Sequence, residues 1–440
     1  LYYLIKEISM SKEENRKNFS KYVSQNILGM IGFSCYVLAD SYFISIAKGA
    51  DGLTALNLVM PLYSIIFSIG EMIGVGSAIR YAISKIKKDA DADDYFWNAL
   101  IWCILSSMLF VFAGIFFSAD IMRVLGADEH IVAVGNNYTK IFMCFAPMFM
   151  CNYVTNAFVR NDGAPGIAMS ATLFSSLFNI VFDYILMFPM NLGMEGAALA
   201  TALSPIIGMG ICSIHFFSKK SSVRLVVCKP SVRKLVAGSQ LGVSAFVGEM
   251  SSAVITLAFN FVILKLAGNV GVAAYGVVAN IAIVTTAVFN GVAQGSQPLI
   301  SSCFGRGDKD GCTQLKRMGY TTAFVLAAVM YSILFIFAGQ FVAVFNSEGS
   351  EMLRLYATEG VKLYFIGIFF AGINIVGGGA FSATEDAFKA AVVSVARGFV
   401  LILGAVFVMS ALFGMTGVWL AYAVAEGITT FIMLVMVLRV

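Results

Sequence analysis

Asp40 and Asp183 each stand inside a long run of apolar residues, and Asn179 precedes Asp183 by one helical turn on the same face. If those runs lie in lipid, each ionisable residue costs roughly 2.5–3.5 kcal/mol and needs a partner or a task. Two carboxylates held together in low dielectric cannot both ionise. With the Asn179 amide and the Thr201 hydroxyl beside them, they hold one proton or offer oxygens to a small cation such as Na+. The structural alternative is that both aspartates merely tether their helices. Glu249, in another apolar run, is a second candidate, as a contact for a cationic ligand or as a further ion site. Glu71 reads as an internal hydrogen-bonding group, and Arg397 with Glu426 as a salt bridge. Lys140 and Lys362 are expected to reach the outer headgroups.

The elements that carry these residues follow from composition. Of 440 residues 59% are hydrophobic and only 12% charged, with 38 Phe and 22 Met but two His. So few charges cannot coat that much apolar surface in water. A cytosolic enzyme, a nucleic-acid binder and a disordered scaffold are therefore excluded, and the lipid bilayer is the expected surrounding. The eight cysteines form no C-x-x-C pair and read as small buried hydrophobes, and no zinc set can be assembled.

Twelve apolar stretches are each long enough to cross a hydrocarbon core of about 30 Å. They run 20–46, 53–83, 95–118, 131–160, 165–189, 192–217, 234–266, 271–300, 315–343, 353–383, 387–410 and 414–438. Barrel strands are about 10 residues long, so the stretches must be helices. The fold expected is all-α and integral to the membrane, with twelve transmembrane helices in two pseudo-symmetric six-helix lobes. Residues 1–19 form an N-terminal arm, 20–217 the first lobe, 218–233 a linker and 234–440 the second lobe. Two six-helix repeats follow from "GMEGAALATA" (193–202) over "GMTGVWLAYA" (414–423), with six identities, and from Lys140 and Lys362 at matching places.

Lys85, Lys87, Lys88, Lys219, Lys220, Arg306 and Lys309 fall on one set of loops, which puts both termini in the cytosol. Helices 1 and 5 then run outward. Asp40, Asp183, Asn179 and Thr201 gather at one level in the outer half of the first lobe. The repeat-equivalent positions Phe259, Val400, Gly404 and Tyr422 carry no carboxylate. That asymmetry favours a task over architecture.

Several segments resemble the multidrug and toxic compound extrusion (MATE) family. "LADSYFISIAKGADGLTALNLVMP" (38–61) is similar to its helix 1–2 signature, "RNDGAPGIAMSATLFSSLFNIVFDYILMF" (160–188) to its helix 4–5 segment and "QPLISSCFGRGD" (297–308) to its helix 8 end. "GVSAFVGEMSS" (242–252) resembles the DinF-type branch. The likeness runs from about residue 15 to the C-terminal end. It implies a multidrug efflux antiporter in the plasma membrane, a monomer that takes small amphipathic, often cationic compounds in exchange for H+ or Na+ and needs no cofactor. It further implies that Asp40, Asn179, Asp183 and Thr201 form the ion-coupling site, with Na+ as the one metal they would hold. Tyr36, one turn below Asp40, Asn156 and Glu249 are then the substrate contacts. Many relatives carry a proline in inner helix 1, where this chain has Gln25, so any bend there falls to Gly29 and Gly32.

Two alternatives stand beside that reading. A lipid-linked oligosaccharide flippase shares the architecture but asks for a more basic cavity. A Mg-dependent membrane prenyltransferase would use "DADADD" (89–94), but it needs a second acidic motif where the linker is basic. That acidic run reads instead as a cap for helix 3.

Overall fold

The computed structural model describes residues 12–345 and 350–438, and every regular element among them is helical. The N-terminal arm up to Ser11 lies outside the described residues. The spans are α1 (Lys12–Gly49), α2 (Asp51–Lys87), α3 (Asp94–Val124), α4 (129–161), α5 (Pro165–Met187) and α6 (Gly193–Phe216). The second half holds α7 (232–267), α8 (269–305), α9 (Lys309–Ile336), α10 (Glu351–Ala383), α11 (387–413) and α12 (415–438). Residues 12–19 are the first turns of α1. Helix α4 bends by 46° at Phe145, just ahead of Pro147.

Glycines fold the long helical runs back on themselves. An unbroken helix over Val232–Gly305 would be about 110 Å long, more than three hydrocarbon cores. It breaks at Gly268, whose φ of 62° only glycine adopts readily. Gly49 makes the same break between α1 and α2, and Gly414 between α11 and α12. Gly193, which opens α6, matches Gly414 in the repeated segment and also has positive φ. The repeat in sequence is thus a repeat in backbone: each half turns on glycine at the starts of its second and sixth helices.

Side chains pack around two large hydrophobic cores and two small satellite clusters. One large core is built from residues 44–241, the other from residues 258–425 joined by Phe19 and Val23 of α1. Lipid-length helices with exposed Leu, Phe and Val outside surround them, including Leu109, Phe116, Phe174 and Phe431. The two halves meet most closely in the half of the bundle that carries the basic loops. There Gly76 of α2 crosses α7 so tightly that a Cβ would lie 2.1 Å from the Gly238 carbonyl oxygen, and one on Gly242 would lie 2.0 Å from that of Met72. At the same end Glu385, in the α10–α11 turn, pairs with Arg80 and with Lys87 of α2 (3.4 Å).

Two expectations change. The acidic run 89–94 makes no side-chain cap on α3. Asp93 instead pairs with Lys85 at 2.6 Å, and Asp91 and Asp94 hold Lys234 at 3.0 and 2.5 Å, which straps the linker end to the first half. The first amides of α3 already donate to carbonyls of the preceding turn, Asp94 N to Asp91 and Tyr95 N to Ala92, which leaves the carboxylates to the nearby lysines. Gly29 and Gly32, where any loosening of α1 is expected, keep helical φ/ψ. They let it lie against Met169, Thr172 and Leu173 of α5, so the helix stays regular through that region.

Candidate functional site

Asp40 on α1 is 6% exposed and Asp183 on α5 is fully buried. The two carboxylates share one field, and the hydroxyls of Tyr36, Tyr63 and Tyr138 lie within it. With its amide oriented to satisfy its neighbours, Asn179 donates to Asp183 Oδ2 at 3.1 Å. Its oxygen then accepts from Thr201 N at 3.3 Å and from Thr201 Oγ1 at 3.2 Å. Helices α5 and α6 are therefore joined at this level by a polar bridge with no apolar substitute. One oxygen of each aspartate, Oδ1 in both, is buried and finds no hydrogen-bond donor among the described residues. A buried carboxylate oxygen without a protein donor calls for a proton, a cation or a water molecule. No cluster of three or more His, Cys, Asp or Glu suited to a metal occurs among the described residues. Any Na+ here would rest on two carboxylates, the Asn179 amide and the Thr201 hydroxyl.

A cleft of about 970 Å³, counting its open mouth, lies toward the basic end of the same half and takes its far wall from α7 and α8. Tyr36, Asn156 and Glu249 line it, whereas Asp40, Asn179, Asp183 and Thr201 do not. The candidate substrate contacts and the candidate ion residues are thus separate places, with Tyr36 lining the cleft and lying within the field of both aspartates. Asn156 Nδ2 donates to Thr172 Oγ1 and to the Ala168 carbonyl, both at 3.1 Å, so its amide ties α4 to α5. Glu249 lines the cleft and makes no hydrogen bond or ion pair among the described residues.

Residues the sequence did not single out complete the site. Tyr63 and Tyr138 share a hydrogen bond between their hydroxyls, and Phe142 stacks on Tyr63 at 3.6 Å between ring centres. At the floor of the cleft Gln294 of α8 donates to Glu71 of α2 at 3.1 Å and accepts from Arg160 of α4 at 2.7 Å. Arg160 also reaches Asn26 of α1 at 3.4 Å. Glu71 is therefore bonded across the two halves, not within one. Spacing could not reveal this chain of four, because it depends on how α1, α2, α4 and α8 cross.

The other half carries a contrasting cluster. Arg397 grips Glu426 through Nε at 3.0 Å and Nη2 at 2.6 Å. Asn374 donates to the same carboxylate at 2.7 Å and accepts from Thr430 at 3.0 Å. Every oxygen of Glu426 is satisfied there, so this carboxylate has no capacity left for an ion. Arg397 lies in a single π-helical turn, Ala396–Val400, inserted in α11. Lys362 places its Nζ over the Phe335 ring at 5.2 Å, and Lys140 is exposed.

Two six-helix halves enclose a polar cleft with titratable groups buried beside it; together with the family match and the relatives that follow, they mark a multi-pass membrane transporter and not an enzyme. The MatE family model matches residues 26–185 and 245–408, once in each half. The chain belongs to the MatE family. The multidrug export protein MepA of Staphylococcus aureus (strain MRSA252) is 27% identical over 414 residues, spanning 91% of this chain and 89% of that protein. Its namesake in Staphylococcus saprophyticus is 26% identical over 409 residues, with the same coverage. An outward-facing multidrug resistance MATE transporter of the MOP superfamily superimposes with a TM-score of 0.90 at 20% identity, over 97% of this chain and 96% of that one. A MOP superfamily transporter from Pyrococcus furiosus, described as having a binding pocket of reverse polarity, gives 0.88 at 20% identity, over 96% and 95%.

Proposed function

We propose that the protein is a secondary-active antiporter that exports small amphipathic, often cationic drug-like compounds in exchange for H+ or Na+. The observation that carries this is the pair of buried aspartate oxygens without donors, set apart from the cleft yet linked to it through Tyr36. In this reading Asp40, Asn179, Asp183 and Thr201 bind the coupling ion, while Tyr36, Asn156 and Glu249 contact the compound. The name of the MepA relatives, multidrug export protein, points the same way. The aromatic wall of Phe67, Phe149 and Tyr153 suits flat, apolar ring systems.

The cycle rests on the two lobes, 20–217 and 234–440, rocking about the linker 218–233, with both termini in the cytosol and the monomer as the working unit. The basic end is then the cytosolic end, closed by the glycine crossings of α2 and α7 and by Glu385. A compound enters from the cytosol or inner leaflet when these part. Its release to the outside is driven by the ion taken up at Asp40 and Asp183. For a compound without net charge, the ion moved through 100 mV supplies about 2.3 kcal/mol, enough for roughly a fifty-fold concentration gradient; for a singly charged cation exchanged one for one no net charge moves, and the ion's own gradient drives export at about 1.4 kcal/mol per tenfold. A flippase of lipid-linked oligosaccharide asks for a basic cavity. This cleft has one arginine, Arg160, against Glu71 and Glu249.

The test is efflux of a fluorescent cation from proteoliposomes under separately imposed pH and Na+ gradients. Transport driven by either gradient in wild type and lost in Asp40→Asn supports the reading. Undiminished gradient-driven transport in Asp40→Asn removes Asp40 from the coupling site.

A further inference from the structure

At the basic end α2, α4, α8 and α10 finish in the same way. An amide just past the helix donates to a carbonyl five residues back: Asp89 to Ser84 at 3.0 Å, Ala164 to Val159 at 3.1 Å, Asp308 to Cys303 at 2.9 Å and Asp386 to Phe381 at 3.0 Å. This closure holds the residue before that amide at positive φ, where glycine is the usual occupant. Gly163 and Gly307 follow the rule at φ 87° and 73°, but the other two turns use Lys88 and Glu385 at φ 61° and 60°. The turns are repeat mates. Glu385 stands at the same offset from Gly163 as Lys362 from Lys140, and Gly307 at the same offset from Lys88 as Gly268 from Gly49. One copy of each turn therefore has glycine, and the other carries a Cβ in a conformation that penalises it.

The two penalised turns belong to opposite halves, and Glu385 reaches the helix that Lys88 ends. Its carboxylate pairs with Arg80 Nη1 and, at 3.4 Å, with Lys87 Nζ, both on α2. Arg80 also donates from Nη2 to the Ala237 carbonyl of α7 at 3.4 Å, so its guanidinium holds the second half at two points. The Arg80 and Glu385 side chains are only 24% and 22% exposed, which shelters the pair from full solvent screening. A glycine at 385 would ease the backbone and lose both contacts. The mate turn shows the difference: beside Gly163, the Asp162 carboxylate serves Tyr81 and His215 of its own half and Ser221 and Ser222 of the linker.

We propose that Glu385 is the latch of the cytosolic gate: it occupies a glycine position so that its carboxylate spans to Arg80 and Lys87, and these pairs break before the basic end opens to admit a compound. This rests on the reading that the two lobes part at that end. The α10–α11 turn is remote in sequence from the linker, so it must leave α2 when the lobes part. The Lys234 pairs sit where the linker joins α7 and can persist.

The experiment follows spin labels at Asp89→Cys and Lys309→Cys in liposomes by pulsed electron resonance, with native thiols that a label can reach replaced by Ser. Wild type in the presence of a transported dye and an imposed gradient should show a short and a long distance. Glu385→Gln, which keeps the backbone conformation but not the charge, should raise the long-to-short ratio by about three- to tenfold, the range for two partly sheltered ion pairs. Arg80→Gln should act similarly, and the double variant should go no further than the larger single effect. Glu385→Gly should open as much as Glu385→Gln and melt no lower than it, because glycine relieves the turn. An unchanged ratio in Glu385→Gln and Glu385→Gly, or fully additive effects in the double variant, overturns the latch and leaves the export reading standing, since wild type still opens. A wild type that keeps one distance throughout turnover removes the opening of this end, and the latch falls with it.

Discussion

The α2–α7 crossing gives the sharpest mechanical prediction. A methyl group added at Gly242 would sit 2.0 Å from the Met72 carbonyl oxygen, where ordinary contact begins near 3.4 Å. Both partners are backbone, so neither helix can swing a side chain aside, and the helices must part by roughly 1 Å or more. Overpacking of this kind costs about 1–3 kcal/mol. If the basic end opens during transport, the strain disappears in the open state, and Gly242→Ala shifts the equilibrium toward opening by about 5- to 150-fold. Gly248, one and a half turns along the same helix, has nothing within 4 Å of its would-be Cβ, so Gly248→Ala is the matched control. Spin labels at Asp89→Cys and Lys309→Cys, both exposed on the rim of that end, report the separation by pulsed electron resonance in liposomes. The Gly242→Ala protein should gain a population at longer distance that Gly248→Ala lacks. Identical distance distributions in the two variants would refute the idea that this crossing is a gate contact.

Other outcomes follow from the same geometry. Arg397→Met strands the Glu426 carboxylate and should cost about 3–5 kcal/mol, seen as a lower melting temperature in detergent, with Arg397→Met/Glu426→Leu recovering much of it; a single variant as stable as wild type would contradict the account of that cluster. Gly268→Ala, at φ 62° and ψ −158°, should destabilise by about 1–3 kcal/mol although space is open there, while Gly210→Ala in a regular helix with equal space should be neutral or stabilising. The Asp91 carboxyl lies in the α2–α3 loop, and its hydrogen bond from Lys234 holds it below the usual carboxylate range. Its strap on the linker is therefore present above the unfolded carboxyl's pKa and lost as pH falls through the depressed one. Limited proteolysis within 218–231 should be slow at neutral pH and faster both near pH 3 and in Lys234→Gln at neutral pH. Equal cleavage rates would show that the strap does not hold the linker.

The spans were legible because lipid leaves little choice: twenty apolar residues in a row must be helix, and the lysines and arginines mark one end of each. Their ends were less so. Helix α1 already includes Lys12, within a stretch of Lys, Glu and Asn that reads as a solvated arm, because helices extend past the hydrocarbon core. The repeat was visible in residues 193–202 and 414–423, and its meaning is backbone conformation at Gly193 and Gly414. Depth along a helix can be counted, so residues such as Asn179, Asp183 and Thr201 can be assigned to one level. Rotation and crossing cannot be counted. That is why the Tyr63–Tyr138 pair, the Arg160–Gln294–Glu71 chain and the division of the polar residues between cleft and buried cluster emerge only from the packed helices. The acidic run 89–94 shows a related limit, since a cap and an ion pair to a linker more than a hundred residues away have the same local signature.

The central claim is that a compound in the cleft and an ion at Asp40 and Asp183 displace one another. It is tested most directly by adding a transported dye to purified protein in weakly buffered detergent and counting ions released. Protons are followed with a soluble pH indicator, and Na+ with protein pre-equilibrated with the radioactive ion. The account predicts release of one or the other by wild type on dye binding, and none by Asp40→Asn under conditions where the dye still binds. Release that is undiminished in Asp40→Asn would contradict it.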